Sequence, residues 1–169
     1  MASSSQGSSR ARSVARGVVL RPLRRADRAE IERIVRATGA FREDEVVVAM
    51  ELVDAREEEG YRFVVAEMEG KVAGYACFGA TPLTLGTWDL YWIAVDPGMQ
   101  GRGIGRELFD AAVEAVRAEG GRMLLIETGG KASYGATREA YLAWGCREVA
   151  RVPDFYERGD DKVVYARYL

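Results

Sequence analysis

A glycine-rich turn that joins an apolar segment to an amphipathic one carries the strongest chemical signal in the sequence. Segment 88–95 is apolar and aromatic, as expected of a buried strand, and the Asp-Pro-Gly sequence at 96–98 ends it. Gly101, Gly103 and Gly105 come next, and apolar residues at helical spacing follow directly. Such a turn points several backbone N–H groups at one position, where the positive end of the helix dipole also lies. The pattern therefore predicts a binding site for a phosphate or pyrophosphate group.

The glycine spacing distinguishes among the known phosphate-binding loops. A Walker loop is excluded, because no Gly-Lys-Ser/Thr follows the glycines. A dinucleotide-binding loop needs Gly-x-Gly-x-x-Gly, and its third glycine would fall on Arg106 or on Leu108. The register therefore disfavours an NAD-binding protein. The pattern that fits is Gln-x-x-Gly-x-Gly, which Gln100, Gly103 and Gly105 supply.

Two segments resemble motifs of the GNAT superfamily of N-acetyltransferases. With the preceding Ile-Ala-Val-Asp-Pro at 93–97, the glycine loop resembles the acyl-CoA pyrophosphate loop of that family. Segment 138–146 is similar to its aromatic-Tyr-x-x-x-Gly-aromatic motif, in which Tyr141 matches the tyrosine near the CoA sulfur. This segment departs from the motif at Ala140, and Tyr134 stands where many members have an asparagine that contacts the pantetheine. For the loop alone, an ordinary glycine-rich strand-to-helix connection is the alternative.

The resemblance covers residues 17–169 and implies a GNAT-like acyl-CoA N-acyltransferase fold with acetyl-CoA as the acyl donor. Backbone N–H groups of a splayed, bulged strand end would stabilise the oxyanion, and Tyr141 would protonate the departing thiolate. The predicted cofactor-binding residues are Ile93, Ala94, Val95, Gln100, Gly101, Arg102, Gly103, Ile104, Gly105, Arg106 and Tyr134.

The absence of histidine limits the catalytic groups available. It removes Ser-His-Asp and Cys-His catalysis and most zinc enzymes, and no metal site is expected. A carboxylate, tyrosine, lysine or water must then deprotonate an attacking amine. Asp89 matches the general-base glutamate of histone-type members, and strand alternation predicts that it shares a face with Tyr91 and Ile93. Glu127, the second candidate, ends the next strand, near the point where the parallel strands would part.

The order of predicted elements supports the same fold class. Hydrophobic periodicity gives β-α-α-β-β-β-α-β-α-β-β, with the second helix at 43–59 and the final strands at 147–152 and 162–168. The prediction is a single α/β (α+β) domain over 17–169, with a mixed, mostly antiparallel sheet of about seven strands flanked by helices. Residues 1–16 are predicted to be a disordered tail, with an organelle transit peptide as the alternative.

Length, charge and cysteine content further restrict the class of protein. The chain has 169 residues, which suits one domain, and its net charge of −2 gives no general attraction to nucleic acid. No apolar run is long enough to span a membrane. Cys77 and Cys146 have the spacing of neither a disulfide framework nor a zinc site, so buried thiols in a cytoplasmic protein are expected.

These observations together predict an acetyl-CoA-dependent N-acetyltransferase that acts on a primary amine of a small molecule or a protein. A non-catalytic acyl-CoA-binding module of the same fold is the alternative, and a homodimer is left open. A predicted loop at 153–161 would suit a cationic amine, but a solvated hairpin explains its composition equally well. Its acidic and aromatic side chains are Asp154, Phe155, Tyr156, Glu157, Asp160 and Asp161.

Overall fold

The computed structural model of the chain describes residues 17–55 and 60–169, within which seven strands join into one sheet. The sheet order is β1-β2-β3-β4-β5-β7-β6, and within it only β4 and β5 run parallel to each other. The strands are β1 (Val18–Arg21), β2 (Tyr61–Met68), β3 (Lys71–Ala80), β4 (Thr87–Val95), β5 (Met123–Gly129), β6 (Arg147–Glu157) and β7 (Asp160–Tyr168).

Helices separate the strands in the predicted order. Helix α3 forms the crossover between the parallel strands β4 and β5, a connection that cannot be made by a tight turn. The mixed, mostly antiparallel sheet with flanking helices confirms the predicted fold class. The helices in the described residues are α1 (Arg28–Ala37), α2 (Glu43–Ala55), α3 (Ile104–Ala118) and α4 (Gly135–Ala143).

Apolar side chains form a cluster on each face of the sheet. The apolar side of α3 packs on one face, where Leu108 and Phe109 are fully buried and Tyr141 of α4 joins them. Helices α1 and α2 cover the other face, where Ile31 and Val46 pack among strand residues. Because each helix buries one apolar side against the sheet, the middle strands are held from both faces.

The hairpin between β6 and β7 differs from the prediction. The sequence predicts a loop over 153–161, but β6 continues to Glu157 and β7 begins at Asp160. The pairing register slips between Val152 and Glu157, where Pro153 has no N–H to donate and Asp154 has a φ of 53°. Proline and acidic residues are typical of loops, yet both strands continue past them and meet in an irregular hairpin. The predicted loop is therefore wrong in its extent.

Two predictions lie outside the described residues: the tail at 1–16 and the final residues of the second predicted helix, at 56–59. Across 17–55 and 60–169, no helix combines the length and the hydrophobicity needed to cross a membrane. Cys77 and Cys146 are buried and unpaired, as predicted.

A buried ion pair anchors β1 to the turn before α1. Arg21 donates to both carboxylate oxygens of Asp27, at N–O distances of 2.7 and 2.9 Å, and to Glu67 at 2.7 Å. The backbone N–H of Arg24 also donates to Asp27, at 2.7 Å. Burial by itself raises the pKa of Asp27, but the hydrogen bonds from Arg21 and Arg24 outweigh it and lower that pKa below its ordinary value.

Replacing Asp27 by Asn is expected to lower the free energy of unfolding by about 1–3 kcal/mol at pH 7, because Arg21 loses a buried partner. The folded state lowers the pKa of Asp27, so this stabilisation is present above the unfolded-state pKa of about 4 and is lost as the pH falls through the folded-state pKa. Urea unfolding at pH 7 and in acid should show the two proteins converging at low pH. The control Asp44→Asn removes an exposed carboxylate paired with Arg42 and should cost much less stability, because solvent screens that pair. Equal losses in both variants would contradict the assignment.

Candidate active site

Strands β4 and β5 pair only over their first residues and then part. The ladder runs from the Thr87–Met123 pair to the Leu90–Ile126 pair and ends there. A cavity of about 700 Å³ opens between the separated strand ends. Its walls come from the second half of β4, the end of β5, the α1–α2 connection, the start of α4 and the β6–β7 hairpin. Residues that are distant in sequence therefore meet at this one place.

A β-bulge at Tyr91 marks the point where β4 leaves β5. On the β3 side, Cys77 pairs with Trp92 and Phe78 pairs with Leu90, so Tyr91 is the extra residue. A bulge bends its strand and increases the local twist. It therefore turns the end of β4 away from β5. The bulge lies two residues before segment 93–95, where the sequence predicts the bulged and splayed strand end.

The bulge also changes which side chains of β4 share a face. Leu90 and Ile93 both pack against the cluster that α3 covers, although regular alternation would place them on opposite faces. Asp89, next to Leu90 in the regular part of the strand, points to the other face. The prediction that Asp89 shares a face with Ile93 is therefore wrong, because the extra residue resets the alternation.

Beyond the bulge, the backbone of β4 offers hydrogen-bonding groups to the cavity. The N–H of Asp96 donates to the Ala73 carbonyl at 2.9 Å, which fixes the alternation along this end of the β3–β4 ladder. In an antiparallel ladder, residues that bond to the partner strand alternate with residues whose N–H and C=O point away from it. The groups of Ile93 and Val95 therefore point away from β3, into the space from which β5 has separated. They can bind a carbonyl oxygen or an amide chain.

The glycine loop connects β4 to α3 in a conformation that favours glycine. Gly101 and Gly103 have φ angles of 74° and 81°, and Gly103 is the N-cap of α3. The N–H of Glu107 donates to the Gly103 carbonyl at 3.1 Å and is the first helical bond. The N–H groups of 104–106 precede that bond and have no acceptor within the helix. Together with the positive end of the helix dipole, they form a site suited to an anion.

Asp96 holds the beginning of this loop in place. Its carboxylate accepts hydrogen bonds from Arg33 of α1 at 2.7 Å and from the N–H of Gly98 at 2.8 Å. These two bonds lower the pKa of Asp96, so the carboxylate stays ionised at neutral pH. The loop is thereby tied to a helix on the opposite face of the sheet.

Ile104 and Gly105 serve the packing beneath the loop. The Ile104 side chain is buried in the core, which leaves only its backbone accessible to a ligand. A Cβ on Gly105 would lie 3.3 Å from the Trp144 ring, so the absence of a side chain lets the first turn of α3 approach the end of α4. Both residues therefore position the anion-binding N–H groups.

The polar side chains of the loop lie at its surface. Gln100 lines the cavity, while Arg102 and Arg106 are exposed. A guanidinium nitrogen of Arg102 lies 3.5 Å from the Met68 sulfur, and Arg106 pairs with Asp110 one turn along α3 at 2.8 Å. Both arginines add positive charge beside the helix N-terminus.

Tyr141 places a hydroxyl in a buried part of the cavity wall. The residue is 5% exposed and packs against Trp144 and Tyr165, at ring-centroid distances of 5.7 and 5.8 Å. Within the described parts of the chain, no protein group hydrogen-bonds to this hydroxyl, although it borders the cavity. Burial raises the pKa of Tyr141 above its ordinary value. The hydroxyl therefore stays protonated at neutral pH and is available as a donor.

Tyr134 forms a hydrogen bond across the cavity. Its hydroxyl donates to the Ala40 carbonyl at 2.6 Å and joins the start of α4 to the α1–α2 connection. Its ring lies against Gly129, where an added Cβ would approach it to 2.9 Å. The hydroxyl proton is engaged by Ala40, so a cofactor contact at this position would use the ring or the oxygen lone pairs.

The two candidate bases occupy different places. Glu127 lines the cavity, where the Lys162 ammonium lies 2.9 Å from its carboxylate. Asp89 lies on β4 before the strands part, outside the cavity lining, and accepts a hydrogen bond from the Thr81 hydroxyl at 2.6 Å. Tyr141 and Glu127 therefore face the same cavity, and Asp89 does not.

The acids of the β6–β7 hairpin divide into two pairs. Asp161 accepts a hydrogen bond from the N–H of Asp154 at 3.1 Å, so this pair stabilises the hairpin itself. Glu157 and Asp160 line the cavity instead, and Lys131 pairs with Glu157. No group of three or more acidic or cysteine side chains in the described residues is arranged to hold a metal ion.

The α1–α2 connection supplies a wall of the cavity that sequence reasoning missed. Phe41 packs edge-on against Trp92 of β4, with ring centroids 4.7 Å apart, and Arg42 and Glu45 also line the cavity. An isolated phenylalanine in a polar connection is a signal that could have indicated packing against another element. Glu45 carries no such signal, because acidic residues are common in the first turn of any helix.

Comparison with known proteins places the chain in a family. The sequence profile of the Acetyltransferase (GNAT) family matches residues 20–141. The chain belongs to this family. A crystal structure of a protein assigned to the GNAT acetyltransferases from Desulfovibrio desulfuricans is 43% identical, with a TM-score of 0.86 over 89% of this chain and 98% of that one.

Other solved GNAT structures share the architecture. The yncA protein of Salmonella typhimurium, whose structure contains acetyl-CoA, is 25% identical, with a TM-score of 0.73 over 90% of this chain and 94% of its own. The ribosomal-protein-S18-alanine N-acetyltransferase of Escherichia coli is 22% identical, with a TM-score of 0.73 over 89% of this chain and 93% of its own, a likeness in fold alone. No curated protein sequence matches the chain. Membership of the GNAT family confirms the family resemblance that the sequence predicted.

Proposed function

We propose that the protein is an acetyl-CoA-dependent N-acetyltransferase that transfers an acetyl group to a primary amine by direct attack on the thioester. The observation that carries this proposal is the junction at the end of β4. There, Ile93, Val95 and Tyr141 line one cavity, and the N-terminus of α3 lies beside Val95, to whose side chain a Cβ on Gly105 would come within 3.7 Å. Acetyl-CoA would supply an activated acetyl group on a thiol that leaves readily, with a pKa of about 8.5.

The residues present fit the acyl donor. The N–H groups at 104–106 are suited to the pyrophosphate, with Arg102 and Arg106 adding charge beside them. The backbone groups of Ile93 and Val95 would hold the amide chain of the pantetheine and the thioester carbonyl. As the nucleophile attacks, an N–H at this position stabilises the negative charge on the carbonyl oxygen.

Tyr141 is suited to protonating the departing thiolate. A tyrosine that burial keeps neutral can hydrogen-bond to the sulfur throughout the reaction. Its hydroxyl has no protein partner within the described residues, so no competing hydrogen bond has to break.

Glu127 is the better placed of the two proposed bases. An alkylamine has a pKa of about 10 and must lose a proton before it attacks. Glu127 faces the cavity and is held by Lys162, so it can take that proton directly or through a water molecule. Asp89 would need a chain of waters to reach the same point.

Acetyl-CoA and a panel of primary amines test the proposal through thiol release and mass spectrometry of the product. Release that depends on the amine, with a product heavier by one acetyl group, is the expected result. Tight acetyl-CoA binding without release for any amine would instead establish the non-catalytic module.

Gly103→Glu is expected to weaken acetyl-CoA binding by about 100-fold or more, because the side chain adds bulk and negative charge at the helix N-terminus. Gly70→Glu is the matched control, since Gly70 has a φ of 75° and open space around it in the β2–β3 turn. Calorimetry should find near wild-type affinity in the control. Unchanged affinity in a folded Gly103→Glu protein would refute the assignment of the loop.

Tyr141→Phe is expected to lower kcat by about 10- to 1,000-fold while acetyl-CoA still binds, because the thiolate loses its proton donor. Tyr168→Phe, at an exposed tyrosine on β7, should leave kcat unchanged. Steady-state kinetics at saturating acetyl-CoA measure both variants. A wild-type kcat in Tyr141→Phe would remove the hydroxyl from the mechanism.

Glu127→Gln is expected to lose most activity near neutral pH and to recover partly in alkali, where free amine is plentiful. Wild-type kcat/KM should rise with pH and level off once the base and the amine are both deprotonated. Asp89→Asn should keep the wild-type profile if Glu127 is the base. The reverse pattern would assign the role of general base to Asp89. Wild-type pH profiles in both single variants and in the double variant would mean that water alone removes the proton.

A further inference from the structure

The part of the cavity away from α3 combines carboxylates with aromatic rings. This acceptor end lies between the α1–α2 connection, the start of α4 and the β6–β7 hairpin, on the far side of the strand ends from the glycine loop. Its aromatic residues are Phe41, Trp92, Tyr134 and Tyr156, its acidic residues are Glu45, Glu127, Glu157 and Asp160, and its basic residues are Arg42 and Lys131.

The cations near the acceptor end are already paired with other carboxylates. The Arg42 guanidinium donates to Asp44 at 2.8 and 3.1 Å. Lys131 pairs with Glu157, and Lys162 pairs with Glu127 at 2.9 Å.

Among the described residues, the two other lining carboxylates, Glu45 and Asp160, have no cation to themselves, because Arg42, whose charge also acts on Glu45, is hydrogen-bonded to Asp44. The nearest cation to Asp160 is Lys131 at 4.0 Å, which Glu157 already engages. The acceptor end therefore carries net negative charge.

These two carboxylates reach the cavity from different elements. Glu45 comes from the first turn of α2, and Asp160, which is 8% exposed, comes from the start of β7. Burial raises the pKa of Tyr134 and of Tyr156, and the negative charges of Glu45 and Asp160 raise both further. Glu127 has a larger effect on Tyr156 than either of them, and the positive charge of Arg42 partly offsets the rise at Tyr134. Both carboxylates and both tyrosines line the same end of the cavity. A cation there would meet both carboxylate charges and aromatic side chains.

Backbone hydrogen bonds hold the two carboxylates in place and leave part of each one available. One oxygen of Asp160 accepts from the N–H groups of Gly130 and Lys131, at 3.0 and 3.3 Å. One oxygen of Glu45 accepts from the N–H of Arg42 at 2.8 Å. The second oxygen of each can bind a ligand without breaking these contacts.

Tyr141 fixes the other end of the ligand. The residue is buried and borders the same cavity, and no group of the described residues hydrogen-bonds to its hydroxyl. A group that reacts beside Tyr141 and a group that sits between Glu45 and Asp160 would occupy the two ends of one molecule.

We propose that the acceptor is a primary amine with a second positive charge a few methylene groups away, such as an aliphatic diamine. This inference rests on the proposed function. The reacting amine loses a proton, its nitrogen bonds to the thioester carbonyl carbon, and the carbon–sulfur bond breaks. The sulfur takes a proton from Tyr141, and solvent returns a proton to the phenolate. The second proton of the amine leaves to Glu127 or to solvent. The distal ammonium stays charged between Glu45 and Asp160.

The test compares 1,4-diaminobutane with 1-aminobutane, which has the same chain but lacks the second charge. Wild-type kcat/KM should favour the diamine by about 10-fold or more, mainly through KM, and added salt should reduce the preference. Glu45→Gln should lower the preference by about 3- to 10-fold. Gln can still accept the hydrogen bond that closes the first turn of α2, so this variant keeps the fold.

Two further variants serve as controls. Glu51→Gln makes the same charge change on α2, outside the cavity lining, and should keep the wild-type preference. Tyr141→Phe should slow both amines alike and leave their ratio unchanged.

Several outcomes would overturn the inference and leave acetyl transfer intact. They are equal use of the monoamine, a preference for an α-amino acid over the diamine, or an unchanged ratio in Glu45→Gln. Failure of every amine in the panel to release thiol would refute the proposed function itself, and with it this inference.

Discussion

The parting of a parallel strand pair is the constraint on which the rest of this structure depends. Once β4 and β5 stop pairing after Leu90 and Ile126, the backbone groups on that side of β4 need other partners. The opposite side stays closely bound to β3, where an added Cβ on Gly74 would lie 2.6 Å from the Ala94 carbonyl oxygen. The strand is therefore fixed on one side and open on the other, and the open side is where a ligand can supply the missing hydrogen bonds.

Contacts from both faces of the sheet keep this opening in shape. Arg33 reaches from α1 to Asp96 at the root of the glycine loop, and Tyr134 reaches from the start of α4 to Ala40. The glycine loop is thus attached to α1, and the start of α4 is attached to the connection that follows α1.

The sequence was informative where a function depends on local conformation and less so where it depends on tertiary contacts. The glycine loop and the start of α3 could be predicted, because left-handed φ angles and a helix start leave local signals. The bulge at Tyr91 could not, since one extra residue changes no propensity and only pairing with β3 reveals it. The same holds for Glu45 and Phe41, which reach the cavity through the packing of α1 and α2 against the sheet. Asp89 was a reasonable candidate by chain distance, yet the bulge separates its face from that of Ile93.

The burial of both cysteines bears on the order in which substrates bind and products leave at this site. Burial raises the pKa of Cys77 to about 12 and that of Cys146 to about 11, so neither forms an appreciable amount of thiolate at neutral pH. Neither thiol is therefore suited to receive an acyl group, to keep it while the first product leaves and to pass it on later. This agrees with the proposed direct attack on the thioester, in which donor and acceptor are on the protein at the same time. Initial-rate plots at several fixed concentrations of one substrate would intersect, as in a ternary-complex mechanism, and would not run parallel as in a ping-pong one.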